Sequence, residues 1–262
     1  MPDILFDASS TPGVARITLN RPDVLNSFTR PMSAELCQAI ARVAAEPSLR
    51  AVLITGAGRA FCAGQDLVEV APVNGVQPDL GDVVRGTYNP IVRAIRTLEK
   101  PVVCAVNGTA AGAGANLALA CDIVFASSAA TFIQSFARIG LIPDSGGTFL
   151  LPRIVGLQRA AAMTMLCDKV DAATAQQWGM VYQVCEPDAL LDAALAAASR
   201  LAAMPTYAIG LTKLAFNRSL GVDLADQLDA EVEMQREAGQ SADYAEGVTA
   251  FLEKRKPTFV GR

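Results

Sequence analysis

The sequence predicts an α/β fold followed by a mostly helical C-terminal third. Short apolar runs typical of strands alternate with segments of helical periodicity as far as about residue 155, and helical runs then follow one another to residue 238. The chain has 262 residues, of which 52% are hydrophobic and 18% charged, so it can bury a substantial core. This length fits one large domain, or one domain with a smaller addition.

The predicted strands and helices of the first part alternate along the chain. Strands are predicted from apolar and β-branched runs at residues 14–20, 51–56, 101–108 and 122–127. Helices are predicted from apolar residues repeating at helical spacing at residues 30–46, 88–98 and 113–120. Between these units, segment 68–87 is rich in Pro, Gly and Asp, which indicates an insertion or a mobile loop.

The C-terminal part is predicted to be mainly helical. Helical runs lie at residues 157–167, 171–178, 188–203, 205–219 and 222–238. One short strand is predicted at 180–184, in MVYQV. No repeat of fixed period is evident.

Composition excludes several functional classes. A net charge of -4 leaves no basic surface to collect nucleic acid or anionic lipid. The longest apolar window, 189–204, is too short to span a bilayer, and the N-terminus does not resemble a signal peptide. No two of the six cysteines are closer than 17 residues, so no CxxC zinc or redox motif is present and no metal site is predicted. We therefore expect a cytoplasmic protein with reduced thiols.

Three glycine-rich loops follow predicted strands, at residues 55–67, 107–118 and 140–147. Any one of them is most simply a tight turn, and the first lacks the third glycine of a dinucleotide fingerprint. Two such loops that lie side by side can each present a backbone N–H. Two convergent N–H groups stabilise a developing oxyanion.

The chain contains no histidine, which excludes Ser-His-Asp and Cys-His catalysis. A general base must therefore be Asp, Glu, Lys, Tyr or Cys. Asp144 lies among apolar residues and glycines, where burial raises the pKa of a carboxyl and makes it a usable base. Taken alone, the stretch around Asp144 favours a turn or N-cap role for this residue, and Asp66 and Asp122 fit capping or ion pairing.

Five segments, taken in order, resemble the signature segments of the enoyl-CoA hydratase/isomerase family, whose members have the crotonase fold. The segments are LNRPDVLNSF (19–28), AVLITGAGRAFCAGQDL (51–67), KPVVCAVNGTAAGAGANLALACDIVFAS (100–127), GLIPDSGGTFLLPRIVG (140–156) and EGVTAFLEKRKPTF (246–259). The resemblance implies a spiral of ββα units over residues 1–195. It also implies a helical region over residues 196–262 that assembles homotrimers, or hexamers built as dimers of trimers.

The same resemblance implies an acyl-CoA thioester as substrate, so coenzyme A enters as part of the substrate and no separate cofactor is expected. The thioester carbonyl would accept hydrogen bonds from the backbone N–H groups of Gln65 and Ala113. Lys254 would contact a CoA phosphate of a neighbouring subunit. Further substrate or CoA contacts are implied for Leu25, Ala63, Asp66, Leu67, Gly112, Asn116, Phe136 and Leu141.

The family resemblance also favours one reaction. Hydratases of the family use two glutamates, and the matching positions here are Asn116 and Phe136, neither of which is an acid or base. Asp144 stands where double-bond isomerases of the family carry their acid/base, so the resemblance implies an isomerase. Alternatives are a general enoyl-CoA isomerase, a hydratase, and a catalytically silent subunit that binds CoA thioesters. A hydratase of the same pathway is a further possible partner.

Overall fold

The computed structural model describes residues 2–262. Within that range, ten strands form two sheets. Their bounds are β1 Ile4–Asp7, β2 Val14–Leu19, β3 Ala51–Gly56, β4 Ala60–Cys62, β5 Val102–Val106, β6 Thr109–Ala111, β7 Ile123–Ser127, β8 Thr131–Ile133, β9 Val170–Asp171 and β10 Gln183–Cys185.

Eleven α-helices lie in the same range. Their bounds are α1 Arg30–Ala45, α2 Leu80–Gly86, α3 Tyr88–Thr97, α4 Ala113–Ala120, α5 Gly147–Val155, α6 Leu157–Met165, α7 Ala172–Gln177, α8 Leu190–Ala202, α9 Thr206–Ser219, α10 Leu224–Ala238 and α11 Ala242–Leu252. None of these described helices combines the length and the apolar character that crossing a bilayer requires.

Successive strands divide between the two sheets. The larger sheet has the order β1-β2-β3-β5-β7-β10, and the smaller has the order β4-β6-β8-β9. The pairs β3/β4, β5/β6 and β7/β8 therefore each send one strand to each sheet, and helices follow each pair. In the larger sheet β5 pairs in parallel with β3 and with β7, and in the smaller sheet β6 pairs in parallel with β4 and with β8. This arrangement confirms the predicted spiral of ββα units.

The larger sheet is covered on both faces, which explains why β3 and β5 are wholly apolar apart from Thr55 and Gly56. Ala194, Ala198 and Ala202 repeat every fourth residue along α8 and pack on Leu53 and Val103 of the sheet. Residue 195, the predicted limit of the core, lies within this helix. The division into a core and an assembly region stays a prediction.

The predicted elements differ from the structure in several places. The strand predicted at 180–184 was wrong in position, because the pairing strand is β10 at Gln183–Cys185. Segment 68–87 is not only loop: it contains α2, whose N-cap Asp79 accepts a hydrogen bond from the backbone N–H of Asp82. Helix α5 was missed because it begins at Gly147 and contains Pro152. Helix α11 was missed as well.

Candidate active site

The loops that follow β4 and β6 are in direct contact, and glycine makes this contact possible. A Cβ atom on Gly64, whose φ is +92°, would lie 2.9 Å from the carbonyl oxygen of Ala111 and 3.5 Å from the backbone N of Ala113. A Cβ atom on Gly114 would lie 2.3 Å from the carbonyl oxygen of Cys62. Only glycine at both positions lets the two backbones approach this closely.

Each loop presents one unused backbone N–H to the same cavity. Phe28 donates to the carbonyl of Gly64 at 2.7 Å and accepts from the N–H of Asp66 at 2.9 Å, so the N–H of the intervening Gln65 points the other way. Ala113 is the first residue of α4, where an N–H has no partner within the helix. Neither N–H has an acceptor among residues 2–262. Gln65 and Ala113 both line the cavity.

Asp144 lines the same cavity from a third loop. Its backbone carbonyl accepts hydrogen bonds from the N–H of Gly147 at 2.8 Å and from Nδ2 of Asn116 at 2.9 Å, which hold the turn that precedes α5. Burial raises the pKa of the Asp144 carboxyl, the direction expected from the sequence. A hydrogen bond of 2.8 Å from Oγ of Ser145 to Oδ1 partly offsets that effect.

Asn116 lies beneath the cavity, not in its wall. The residue is completely buried, and its Oδ1 accepts a hydrogen bond from Nε2 of Gln134 at 2.7 Å while its Nδ2 donates to the carbonyl of Asp144. Asn116 is not among the described residues that line the cavity, and both ends of its amide make hydrogen bonds within the protein, so its predicted contact with the substrate stays a prediction. Asn116 supports the backbone that carries Asp144.

The cavity has a volume of about 470 Å³ and mostly apolar walls. Phe136 forms part of the wall next to the loop that follows β6, since a Cβ atom on Gly112 would lie 3.6 Å from its ring. One side of the cavity comes from helix α2 and the chain that precedes it, through Leu67, Val70, Leu80, Val83 and Val84. Among the described residues that line the cavity, Asp144 is the only carboxylic acid.

Tyr88, at the start of α3, is a cavity residue that the sequence analysis missed. Its hydroxyl donates to Oε1 of Gln65 at 2.7 Å, and its ring packs edge-on against Phe28 with 5.8 Å between centroids. Burial raises the pKa of this hydroxyl, and the nearby charge of Asp144 raises it further, so Tyr88 stays neutral. In the sequence, the residue is indistinguishable from a core aromatic at a helix start.

The structure brings together most of the predicted contacts. Ala63, Leu67, Gly112, Phe136 and Leu141 line the cavity together with Gln65, Ala113 and Asp144.

The remaining predicted contacts lie outside the lining. The carbonyl of Leu25 accepts the N–H of Ala63, and Lys254 is exposed beyond the end of α11. Asp66 pairs with Arg21 at 3.0 Å. Asp122 pairs with Lys213 at 2.8 Å, so both aspartates form the ion pairs that the sequence allowed, and the contact of Asp66 with CoA stays a prediction.

Comparison with known proteins agrees with this fold. The enoyl-CoA hydratase/isomerase family profile matches residues 9–262. The protein belongs to the enoyl-CoA hydratase/isomerase family.

Individual relatives extend over nearly the whole chain. The chain is 50% identical over 252 residues to the 1,2-epoxyphenylacetyl-CoA isomerase of Escherichia coli, covering 95% of this chain and 96% of that one. It is 36% identical over 262 residues to a trans-2-decenoyl-[acyl-carrier-protein] isomerase of Streptococcus mutans, covering 99% and 98% of the two chains. The crystal structure of an enoyl-CoA hydratase from Bacillus anthracis matches with a TM-score of 0.91 at 33% identity, covering 99% of this chain and 100% of that one.

Proposed function

We propose that the protein is an acyl-CoA isomerase in which Asp144 moves a proton between two carbons of the substrate. The observation that carries this proposal is the placing of one carboxyl with a raised pKa in a mostly apolar cavity that also receives two unused backbone N–H groups. Such a cavity suits a reaction in which negative charge develops on a carbonyl oxygen and one base handles one proton.

In the proposed mechanism, the thioester oxygen accepts hydrogen bonds from the N–H groups of Gln65 and Ala113. The carboxylate of Asp144 then takes a proton from the carbon next to the thioester, and the electron pair moves onto the carbonyl oxygen to form a dienolate. The same carboxyl returns the proton to another carbon of the dienolate, so the double bond shifts and no atom is gained or lost. Each fixed N–H contributes roughly 3 kcal/mol to the transition state.

Hydration is the weaker alternative. Water addition in this family needs two carboxylates, and Asn116 is here engaged with Gln134 and the Asp144 carbonyl while Phe136 contributes an aromatic wall. Neither residue activates water. An apolar wall also excludes water, which strengthens the hydrogen bonds of the oxyanion site.

For the substrate, we propose ring-1,2-epoxyphenylacetyl-CoA, isomerised to the seven-membered oxepin-CoA in the aerobic breakdown of phenylacetate. The 50% identity to the E. coli isomerase supports this choice. The same base also suits a shift of a double bond from position 3 to position 2 of an enoyl-CoA. A general isomerase of that kind is the second candidate, which the similarity to the decenoyl isomerase supports.

Replacement of Asp144 by Asn or Ala tests the mechanism. Both variants are expected to bind acyl-CoA, measured by calorimetry, and to lose turnover by at least about 1000-fold, because no other described carboxyl lines the cavity. Asp192→Asn, at an exposed aspartate on α8, is the matched control. Turnover by Asp144→Asn at the wild-type rate would refute the mechanism, whereas absence of turnover in the wild type would favour a silent, CoA-binding role.

Substrate choice is tested by comparing kcat/KM for enzymatically generated epoxyphenylacetyl-CoA and for 3-hexenoyl-CoA. Preference for the aliphatic substrate would favour the general isomerase. Crotonyl-CoA is the hydration control, and we expect no hydration.

We also propose that residues 196–262 assemble homotrimers, or dimers of trimers. Large apolar side chains are exposed on α9 to α11, where a second subunit would cover them: Phe216, Leu224, Phe251 and Leu252. In that assembly Lys254 would reach a CoA phosphate of the neighbouring subunit. Sedimentation velocity measures the subunit number, and Phe251→Asp should shift it toward monomer. Co-sedimentation with a hydratase of the pathway tests that partner.

A further inference from the structure

Ser145 occupies a backbone conformation that serine adopts only at a cost. Its φ is +52°, in the left-handed region, and the residue is 2% exposed. Glycine takes this conformation freely, whereas a side chain strains it. The next two residues are Gly146 and Gly147, so glycine is compatible with this turn. The serine side chain must therefore contribute something that glycine would not.

What the side chain contributes is one hydrogen bond. Oγ of Ser145 donates to Oδ1 of Asp144 at 2.8 Å. No hydrogen bond joins Oδ2 of Asp144 to another side chain within residues 2–262, and Asp144 lines the cavity. The two carboxylate oxygens are thus unequal: Oδ1 accepts from the hydroxyl of Ser145, and Oδ2 has no side-chain partner within residues 2–262.

We propose that Ser145 is the positioning residue of the base: its hydroxyl holds Oδ1 of Asp144, sets the orientation of the carboxylate, and leaves Oδ2 to take and return the substrate proton. This inference rests on the proposed function. The backbone strain at Ser145 is the cost of placing a hydroxyl beside the base, and strained residues of this kind are found at functional sites.

The same hydrogen bond favours the ionised form of Asp144. A donor to a carboxylate favours its charged form, so it opposes the rise in the pKa of Asp144 that burial causes. Around the same cavity, burial raises the pKa of the Tyr88 hydroxyl. It also raises the pKa of the Cys62 thiol, at the end of β4, to about 12. Both stay neutral where Asp144 titrates, and Arg138 is the other charged side chain among the described residues that line the cavity. The titration of Asp144 therefore determines the acid limb of the rate profile.

The test compares Ser145→Gly and Ser145→Ala with the full-length wild type. Both variants lack the hydroxyl, so in both we expect the acid limb of kcat/KM to move to higher pH and kcat to fall by about 10-fold. Only glycine relieves the strain, so Ser145→Gly should unfold at the same or a higher urea concentration than wild type, while Ser145→Ala should unfold at a lower one than Ser145→Gly. If Ser145 only stabilised the fold, the activity of each variant would follow its stability.

The outcomes separate this inference from the proposed function. An acid limb at the wild-type pH in both variants overturns the positioning role, whatever the value of kcat. If Asp144→Asn also keeps wild-type turnover, then the proposed function itself fails. If Asp144→Asn is inactive and Ser145→Gly has a wild-type pH profile, then only the role of Ser145 fails.

Discussion

The hydroxyl of Tyr88 donates a hydrogen bond of 2.7 Å to Oε1 of Gln65 and so joins helix α3 to the loop that carries one of the two free N–H groups. The other end of the same amide, Nε2, donates to the carbonyls of Phe28 at 3.2 Å and Asp66 at 3.1 Å. The side chain of Gln65 is therefore held from both ends, and the backbone N–H of Gln65 is held with it. A donor fixed in advance stabilises developing charge without reorganising during the reaction.

Removal of this hydroxyl should reduce turnover. We expect Tyr88→Phe to lower kcat by about 3- to 10-fold with little change in KM, the range that one neutral hydrogen bond supports. Because Tyr88 is neutral where Asp144 titrates, the acid limb should not move. Steady-state kinetics across pH measures both kcat and the pH of the acid limb. Tyr182→Phe is the matched control, since Tyr182 is exposed and packs edge-on against Phe125 outside this cavity. A wild-type kcat in Tyr88→Phe would contradict the bracing role of the hydroxyl.

The second N–H donor can be removed by proline. Ala113 is the first residue of α4, a position where proline fits a helix, so Ala113→Pro removes the N–H with limited effect on the fold. We expect kcat to fall by about 100- to 1000-fold. Leu157→Pro is the control, because Leu157 is exposed and likewise begins a helix after a glycine N-cap. Circular dichroism checks folding of both variants. Activity of Ala113→Pro within a few-fold of wild type would exclude this N–H from the reaction.

The charged form of the Asp144 carboxyl should lower the free energy of unfolding at neutral pH. Because its folded pKa is raised, the carboxyl contributes stability that is fully present below its unfolded pKa and is lost as pH rises through its folded pKa. Asp144→Asn, which carries no charge, should therefore raise Tm at pH 7, by about 2 to 4 °C for each kcal/mol gained. The gain should disappear below the unfolded pKa. Calorimetry at several pH values measures it, and a lower Tm at pH 7 would count against burial of the charged form.

Asn116 should matter to stability and activity together. Asn116→Ala leaves Nε2 of Gln134 without its acceptor and removes the amide donor to the carbonyl of Asp144. Unsatisfied buried groups and the lost volume should lower the free energy of unfolding by roughly 2–4 kcal/mol, measured in urea. Loosening of the turn at Asp144 should reduce kcat in the same variant. Unchanged stability would show that Asn116 does not support this turn.

Much of the site could be predicted from local sequence. The absence of histidine excluded two classes of catalysis, and the glycine-rich loops after β4 and β6 indicated a pair of backbone N–H donors. The position of Asp144 between apolar residues and glycines indicated a raised pKa, because few neighbours there can solvate a charge. These inferences needed only residue types and their order along the chain.

Other features depend on partners that are distant in sequence. The strands β4, β6 and β8 have three residues each, too few for a periodic pattern, and their pairing partners lie more than 20 residues away. Tyr88 became a site residue only because α3 brings it to Gln65, and Asn116 became a support only because Gln134 and the Asp144 carbonyl meet its amide.

The sequence by itself therefore determined the α/β alternation and the apolar, glycine-rich setting of Asp144. The tertiary structure alone decided which polar groups are paired beneath the cavity and which two N–H groups are left free to face it. The physical reason is that residue type and spacing are local properties, whereas burial and hydrogen-bond partners arise only when distant segments pack together.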